Sequence, residues 1–357
     1  MNQLIIQTSK IIHNLDVVKG RVGSAVIYGS LFGSEEHSIL PVARTLADNG
    51  VNRFAVRRVE DASALREAGF VEQEILMLRS VIQREEIDTL LDLQVVFTIS
   101  SVDTGLALNQ AAQERATVAE AHLQIDTGMG FSGFLSSEQD KILLCYRSLS
   151  SVALCGVYTR IHPTAKRSRA QRQVEDFNRI VEIIKEAGYE VGIRHAANSR
   201  SLLRYPFTHF DAVRAGSVLL GRCRKTKFDN LEVVGLGRAT ITESRWLPKG
   251  HTVGIGAQAV ILSRPTRIGI LPVGYFHGAG FAPPRYTTLF GLLFPWILYK
   301  RAFRVRVGGK TAKVLGHMGK QEMAIDITNH NCSAGDDVYF DLDPQFSRAF
   351  RAVYDIE

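Results

Sequence analysis

The chain is poor in cysteine, with four cysteines among 357 residues. Cys145, Cys155, Cys223 and Cys332 lie far apart and form no Cys-X-X-Cys pair, which argues against a disulfide framework and a zinc knuckle. A reduced, cytoplasmic setting is therefore the default expectation. The first residues show no basic stretch followed by a long apolar run, so we expect no signal peptide.

Long hydrophobic runs are also scarce. Residues 286–299, YTTLFGLLFPWILY, have the apolar character of a membrane element. The run contains Pro295 and is shorter than the roughly 20 residues that a spanning helix needs, so we predict no transmembrane segment. A buried or capping hairpin is the favoured interpretation, and a partner-facing or membrane-grazing patch is the alternative.

Charge of one sign is in only modest excess, since 43 basic and 36 acidic residues give a formal charge of +7. Basic runs occur at residues 166–172, 221–227 and 299–306. Aromatic residues do not alternate with the first two runs, as stacking on bases would require. We therefore predict solvated surfaces and no nucleic-acid partner.

Short apolar runs alternate with amphipathic helical stretches from residue 24 to about residue 222. Eight such β-α units in about 200 residues favour a parallel barrel over an open doubly wound sheet. After residue 231 the sequence is rich in Val, Ile, Thr and Gly at strand spacing, and the glycines at 308–309 predict a hairpin turn. We predict an α/β protein with an N-terminal (β/α)₈ TIM-like barrel over residues 1–232 and a C-terminal β-domain over residues 233–357.

Distinct motifs follow the predicted strands, where such barrels place their reactive groups. With three further motifs in the C-terminal region, they are YGSLFG (28–33), IDTGMGFSGF (125–134), the stretch at 195–222, GHTVGIG (250–256), LPVGYFHG (271–278) and LGHMGKQEMAIDIT (315–328). Together these motifs resemble those of the alanine racemase family of fold-type III pyridoxal-phosphate enzymes. The resemblance covers nearly the whole chain in the same order. It implies the same two-domain fold and a head-to-tail homodimer in which each subunit's β-domain completes the other's site.

The resemblance places both catalytic bases of the family at altered residues. The lysine that forms a Schiff base with the cofactor corresponds to Tyr28, and a phenol cannot form an imine. The second base, a tyrosine in the family, corresponds to Ile255, which has no ionisable group. We therefore expect no covalent pyridoxal phosphate and no two-base racemisation. A non-covalent phosphate-bearing ligand and another cofactor are the alternatives.

Further family positions differ in the same region. By the resemblance, Phe131 replaces an arginine, Gln124 a lysine, Arg160 a histidine and Phe32 a phosphate-binding tyrosine. In the C-terminal domain, Lys320 lies in a turn that in the family reaches the partner's site. New cations and apolar groups at one pocket indicate a remodelled site more than random loss.

The supporting residues of the family are retained. Arg214 matches the arginine that faces the pyridine nitrogen, and His195 matches the histidine beside it. Phosphate-holding positions correspond to Asn198, Ser199, Gly216 and Ser217. Backbone amides and a hydroxyl at a helix start can bind an anion without the lysine. Packing and capping of the barrel would explain the same residues equally well.

Three functional hypotheses remain. The first is a repurposed pocket for an amino-acid-like or phosphorylated small molecule, with Tyr28 as acid or base, Arg160 and Arg214 as anion holders and a possible contribution from Lys320. The second is a catalytically inactive binding or regulatory protein. The third is an amino-acid racemase with an unusual lysine, Lys320 or Lys19. The histidines show no tight ligand spacing, so we predict no metal site.

Overall fold

The computed structural model describes residues 2–33, 39–163, 165–223, 230–254, 259–280 and 303–355. The chain divides into two compact units. The barrel unit comprises residues 10–32 and 42–233, and the β unit comprises residues 1–9, 33–41 and 234–357. The boundary at residues 232/233 stays a prediction. The apolar segment 286–299, and with it the predicted hairpin, lies outside the described residues.

Strand β1, Gln3–Gln7, and helix α1, Thr8–Val22, open the chain. The barrel unit then alternates strands and helices as the sequence predicts, and each predicted apolar run forms one strand. In order, the elements are β2 Val26–Ser30, α2 Leu40–Asp48, β3 Arg53–Val56, α3 Val59–Glu67, β4 Glu74–Met77, α4 Arg84–Asp92, β5 Phe97–Ile99, α5 Val102–Glu114, β6 Ala119–Asp126, β7 Phe134–Leu135, α6 Gln139–Ser148, β8 Val152–Tyr158, α7 Arg167–Glu186, β9 Ile193–His195, α8 Ser199–Arg204 and β10 Ala212–Ala215.

Eight of these strands form a closed parallel barrel. The sheet order is β4-β3-β2-β10-β9-β8-β6-β5, and a parallel bridge between Leu76 and Val96 joins its two ends. Strands β3 and β4 are buried at every position except their first residues, Arg53 and Glu74, because helices cover the outside of the sheet. The predicted (β/α)₈ barrel is confirmed.

The remaining strands of the β unit are β11 Leu236–Thr240, β12 Glu243–Leu247, β13 Thr252–Val253, β14 Val260–Ile261, β15 Thr266–Leu271, β16 Val305–Val307, β17 Lys310–Leu315, β18 Met323–Asp326, β19 Asp337–Asp341 and β20 Arg351–Asp355. Nine strands form one sheet in the order β12-β15-β18-β17-β16-β19-β11-β1-β20. Strand β1 lies between β11, to which it is antiparallel, and β20, to which it is parallel. The C-terminal β-domain is thus also confirmed.

The predicted glycine turn joins β16 to β17. Val307 pairs with Lys310, and the two residues between them, Gly308 and Gly309, have φ of 53° and 78°. Positive φ at both central positions is the geometry of a two-residue hairpin turn, which glycine adopts without a steric cost.

Two further structural findings concern the whole described chain. No disulfide bond links any of its four cysteines. Within the described ranges, no helix combines the length and the apolar character that crossing a bilayer would require.

Candidate ligand-binding site of the barrel

A cavity of about 90 Å³ lies at the carboxyl ends of β3, β4, β6 and β8. This is the end of the barrel at which (β/α)₈ enzymes place their sites. Arg57, Arg79 and Arg160 line the cavity together with Gln124 and Asp126. Tyr28, Arg160 and Lys320 are the candidates for a direct part in the chemistry, and of these Arg160 lines this cavity.

The charged groups of the cavity differ in how they are paired. Arg79 donates to both carboxylate oxygens of Glu86, at 3.0 and 2.7 Å. Asp126 accepts the backbone amides of residues 128, 129 and 130 at 2.7–2.8 Å. Within the described ranges, Arg57 and Arg160 form no ion pair. Burial and the charge of Arg57 lower the pKa of Arg160.

Tyr28 is completely buried and does not line the cavity. Its hydroxyl donates to the carboxylate of Glu74, which also forms an ion pair with Arg53 at 3.2 Å. Arg53 and Glu74 are the first residues of their strands, so the hydroxyl points toward the amino ends of the barrel. Burial, and then Glu74, raise the pKa of Tyr28. This geometry does not support the predicted acid–base role, which stays a prediction.

Two histidines occupy the centre of the barrel. His195 stacks on Tyr158, with ring centroids 4.8 Å apart, and on Tyr28 at 5.4 Å. The guanidinium of Arg214 donates to Nδ1 of His195. Nδ1 of His195 is therefore unprotonated. Its Nε2–H group donates a hydrogen bond to Nδ1 of His122, with 2.9 Å between the two nitrogens.

Burial determines the protonation states of His122, His195 and Arg214. It lowers the pKa of His122 to about 3 and that of His195 well below its usual range, so both imidazoles are neutral at pH 7. Burial also lowers the pKa of Arg214 to about 10, which leaves it protonated. Arg214 donates to the carbonyls of Thr159 at 2.6 Å and Ala196 at 3.2 Å. Its donors thus bind the barrel itself, and Arg214 does not share the cavity with Arg160.

The predicted phosphate-holding residues lie together. Asn198 caps α8 and accepts the amides of residues 200 and 201 at 3.1 and 3.2 Å. The amide of Gly216 donates to the hydroxyl of Ser199 at 2.9 Å. Ser217 lies next to this contact and bonds Cys223 through its hydroxyl, with 3.2 Å between oxygen and sulfur. The structure therefore brings these four predicted residues to one place after β9 and β10.

The lysines of the third hypothesis lie elsewhere. Lys19, in the last turn of α1, is exposed and donates to the carbonyl of Asn49 at 2.9 Å. Lys320 belongs to the β unit, where its ammonium lies 5.9 Å from the ring centroid of Phe276. Ile255, at the position of the second base, lies outside the described residues. No strand described in the barrel unit contains a lysine.

No cluster of three or more His, Cys, Asp or Glu side chains suited to a metal ion occurs in the part of the chain that the structure describes. Two residues of interest, Arg57 and Glu74, were not identified from the sequence. Arg57 directly follows β3, and the carboxyl end of a barrel strand is where such folds place reactive groups, so its position was a signal that could have identified it. Glu74 begins a strand, and its contact with Tyr28 spans 46 residues.

Comparisons with known proteins agree with the fold. The alanine racemase N-terminal domain model matches residues 6–223, and the C-terminal domain model matches residues 236–345. An alanine racemase from Desulforamulus reducens is 28% identical over 327 residues, 88% of this chain and 82% of the relative. One from Carboxydothermus hydrogenoformans is 32% identical over 276 residues, 74% of this chain and 73% of the relative.

Solved structures show the same architecture. Alanine racemase from Clostridium difficile gives a TM-score of 0.84 at 19% identity and covers 99% of this chain and 95% of its own. The enzyme from Bartonella henselae, with covalently bound pyridoxal phosphate, gives 0.78 at 17% identity and covers 99% of each chain.

These comparisons correct one expectation. The altered residue at position 28 predicted no covalently bound pyridoxal phosphate, and this expectation is contradicted. The relatives are named alanine racemases, and one solved structure carries the cofactor covalently bound. The error came from treating one altered residue, Tyr28, as decisive for the cofactor. Both domain models match, in order and over most of the chain, so the protein belongs to the alanine racemase family.

Proposed function

We propose that this family member binds a phosphorylated or amino-acid-like small molecule at the carboxyl ends of its barrel, with pyridoxal phosphate as the first candidate, and does not carry out two-base racemisation. The observation that carries the proposal is the contact between Ser199 and Gly216 beside the capped start of α8. The contact holds the Ser199 hydroxyl at the start of α8, where it can donate its own proton to an anion.

The residues present fit pyridoxal phosphate at its phosphate end. The Ser199 hydroxyl accepts one hydrogen bond from Gly216 and retains its own proton to donate to a phosphate oxygen. Asn198 fixes the start of α8 and thereby holds Ser199 in position. When bound, pyridoxal phosphate acts as an electron sink for carbanions. Arg214 keeps a positive charge in the barrel, and its bonds to carbonyls fix its orientation.

The proposal that racemisation is absent rests on two residues. Tyr28 stands where the resemblance places the cofactor-anchoring lysine, and its proton is engaged by Glu74. Ile255 stands where the resemblance places the second base, and its side chain cannot transfer a proton. Racemisation requires proton removal on one face of the α-carbon and proton delivery on the other.

We also propose a head-to-tail homodimer in a reducing cytoplasm, on the basis of the family resemblance. Sedimentation at micromolar concentration tests the assembly. A monomer there would contradict it.

Titration of the full chain with pyridoxal phosphate, followed by absorbance and calorimetry, tests the ligand. We expect the chain to bind pyridoxal phosphate and Ser199→Ala to weaken that binding at least tenfold, since a hydrogen bond to a charged group contributes about 1.5–3 kcal/mol. Ser150→Ala is the matched control, because Ser150 is exposed and its hydroxyl accepts a hydrogen bond from the side-chain amide of Gln113 at 3.0 Å. Absence of binding, or equal binding by Ser199→Ala, would contradict the proposal.

Conversion of L-alanine to D-alanine by the cofactor-loaded chain tests the chemistry. We expect no turnover above that of free pyridoxal phosphate. Turnover in the enzymatic range of about 1–10³ s⁻¹ would overturn this part of the proposal. Borohydride reduction and peptide mapping would then show whether Lys320 or Lys19 carries the cofactor, as the unusual-lysine hypothesis requires.

A further inference from the structure

We propose that Arg57 and Arg160 form a second anion subsite, in the cavity at the ends of β3 and β8, which binds a carboxylate or phosphate group of the ligand. This inference deepens the proposed function, on which it rests. It implies that the natural ligand carries an anionic group besides the one held near Ser199.

Charge is the first support. Arg57 and Arg160 line the same cavity, and no carboxylate within the described ranges pairs with either. Two like charges facing one small space repel each other, and an anion between them removes that repulsion. Arg57 also lies over the ring of Phe32, with 5.7 Å from its guanidinium carbon to the ring centroid.

The remaining polar groups of the cavity are already engaged. The amide of Gln124 accepts from the hydroxyl of Tyr158 at 2.9 Å and donates to the carbonyl of Ser132 at 3.0 Å. Asp126 is held by three backbone amides, and Arg79 by Glu86. The two arginines are therefore the charged donors that remain for a ligand among the described lining residues.

Size is the second support. The cavity measures about 90 Å³, several times the roughly 30 Å³ that one water occupies in the liquid. Sites that enclose a whole ligand measure about 300–1,000 Å³. The cavity therefore suits one functional group of a ligand, and guanidinium forks match the paired oxygens of a carboxylate or phosphate.

Calorimetric titration of the full chain with inorganic phosphate and, separately, with acetate tests the subsite. We expect Arg160→Gln and Arg57→Gln each to weaken anion binding at one site at least tenfold, whereas Arg160→Lys weakens it less. Arg179→Gln is the charge-matched control, because Arg179 lies on the exposed part of α7 and pairs with Asp176. Thermal unfolding confirms that each variant is folded.

The two anions distinguish the ligand chemistry. Binding of both at the arginine site indicates a carboxylate-competent subsite, and binding of phosphate alone indicates a phosphoryl group. The inference is overturned if neither anion binds at millimolar concentration, or if the arginine variants bind both as the unmodified chain does. Ser199→Ala separates the two proposals: unchanged phosphate binding by that variant, with the arginine effects intact, would refute only the site near Ser199.

Discussion

The two ends of the barrel differ in how completely their arginines are paired. At the amino end, Arg53 pairs with Glu74 at 3.2 Å and Arg194 pairs with Asp211 at 2.8 Å. At the carboxyl end, Arg79 pairs with a carboxylate, but Arg57 and Arg160 share a cavity with no carboxylate partner in the described parts of the chain. The amino end thus satisfies its charges internally, whereas the carboxyl end leaves positive charge available.

This difference matches the division of labour in (β/α)₈ barrels. Their carboxyl ends carry the site, and their amino ends contribute stability. Tyr28 illustrates the point, because the resemblance suggested a place in the site and the structure gives its hydroxyl a partner at the amino end. Substitutions at the two ends should therefore separate stability from binding.

The largest expected effect comes from the barrel centre, on which both ends depend. A Cβ on Gly156 would lie 2.6–2.9 Å from the ring atoms of His122, which its bond to His195 holds in place. We expect Gly156→Ala to lower the free energy of unfolding by about 3 kcal/mol and to weaken ligand binding as well. Urea unfolding measures the loss.

Gly20→Ala is the control for that variant. Gly20 lies in α1, and a Cβ there would meet nothing within 4 Å. Alanine should stabilise this helix by about 0.5–1 kcal/mol. A loss for Gly156→Ala no greater than the change for Gly20→Ala would contradict the tight contact.

The next effect concerns the amino end. Glu74→Ala removes the acceptor of the buried Tyr28 hydroxyl and leaves Arg53 unpaired. We expect a loss of about 2 kcal/mol in unfolding free energy, because an unsatisfied buried group costs about 1–3 kcal/mol. Anion binding should be unchanged. Adding Tyr28→Phe removes the stranded hydroxyl, so the double variant should lose less than the sum of the single losses; strict additivity would exclude the coupling.

A smaller effect at the same end depends on pH. The hydrogen bond and charge of Arg194 lower the pKa of Asp211. Because the folded pKa lies below the unfolded value of about 3.9, the contribution is present above that pH and is lost as pH falls through the folded pKa. Asp211→Asn should therefore lower the melting temperature at pH 7 and converge with the unmodified chain near pH 2. A difference in melting temperature that persists near pH 2 would show that Asp211 stabilises the fold through packing and not through its charge.

The smallest effect on stability belongs to the carboxyl end. Arg160→Gln removes one of two like charges that lack a carboxylate partner among the described residues. We expect a change of about 0.5 kcal/mol or less in unfolding free energy, in the stabilising direction if any. Chemical denaturation measures it. A loss comparable to that of Glu74→Ala would remove the contrast between the two ends.

The barrel could be predicted from the sequence because its strands are local patterns. Buried parallel strands appear as short apolar runs, and RFAV and EILM are examples that became β3 and β4. The pairing of β1 could not be predicted in this way. Its partners lie more than 200 residues along the chain, and five residues of strand character do not indicate which sheet they join.

The site was predictable to the extent that its residues follow strands. Arg160, His195 and Asn198 were identified through the family resemblance, and they lie at or after the ends of strands, as Arg57 does. The roles of these residues were harder to predict than their positions, because each role depends on partners that are distant in sequence. Arg214 looked like an anion holder, but the carbonyls of Thr159 and Ala196 take its donors. Only the structure shows that the guanidinium of Arg160 faces a cavity, whereas that of Arg214 is bound to backbone carbonyls.

The position of β1 has a consequence for the order of synthesis. The strand is synthesised before its neighbours β11 and β20, and β20 ends at Asp355. At about 5–20 residues per second, the last neighbour follows β1 by about 20–70 s. Until then, β1 lacks at least one of the two strands with which it pairs in the folded protein. A fragment that begins after β1 should therefore be the better starting point for producing the barrel unit alone.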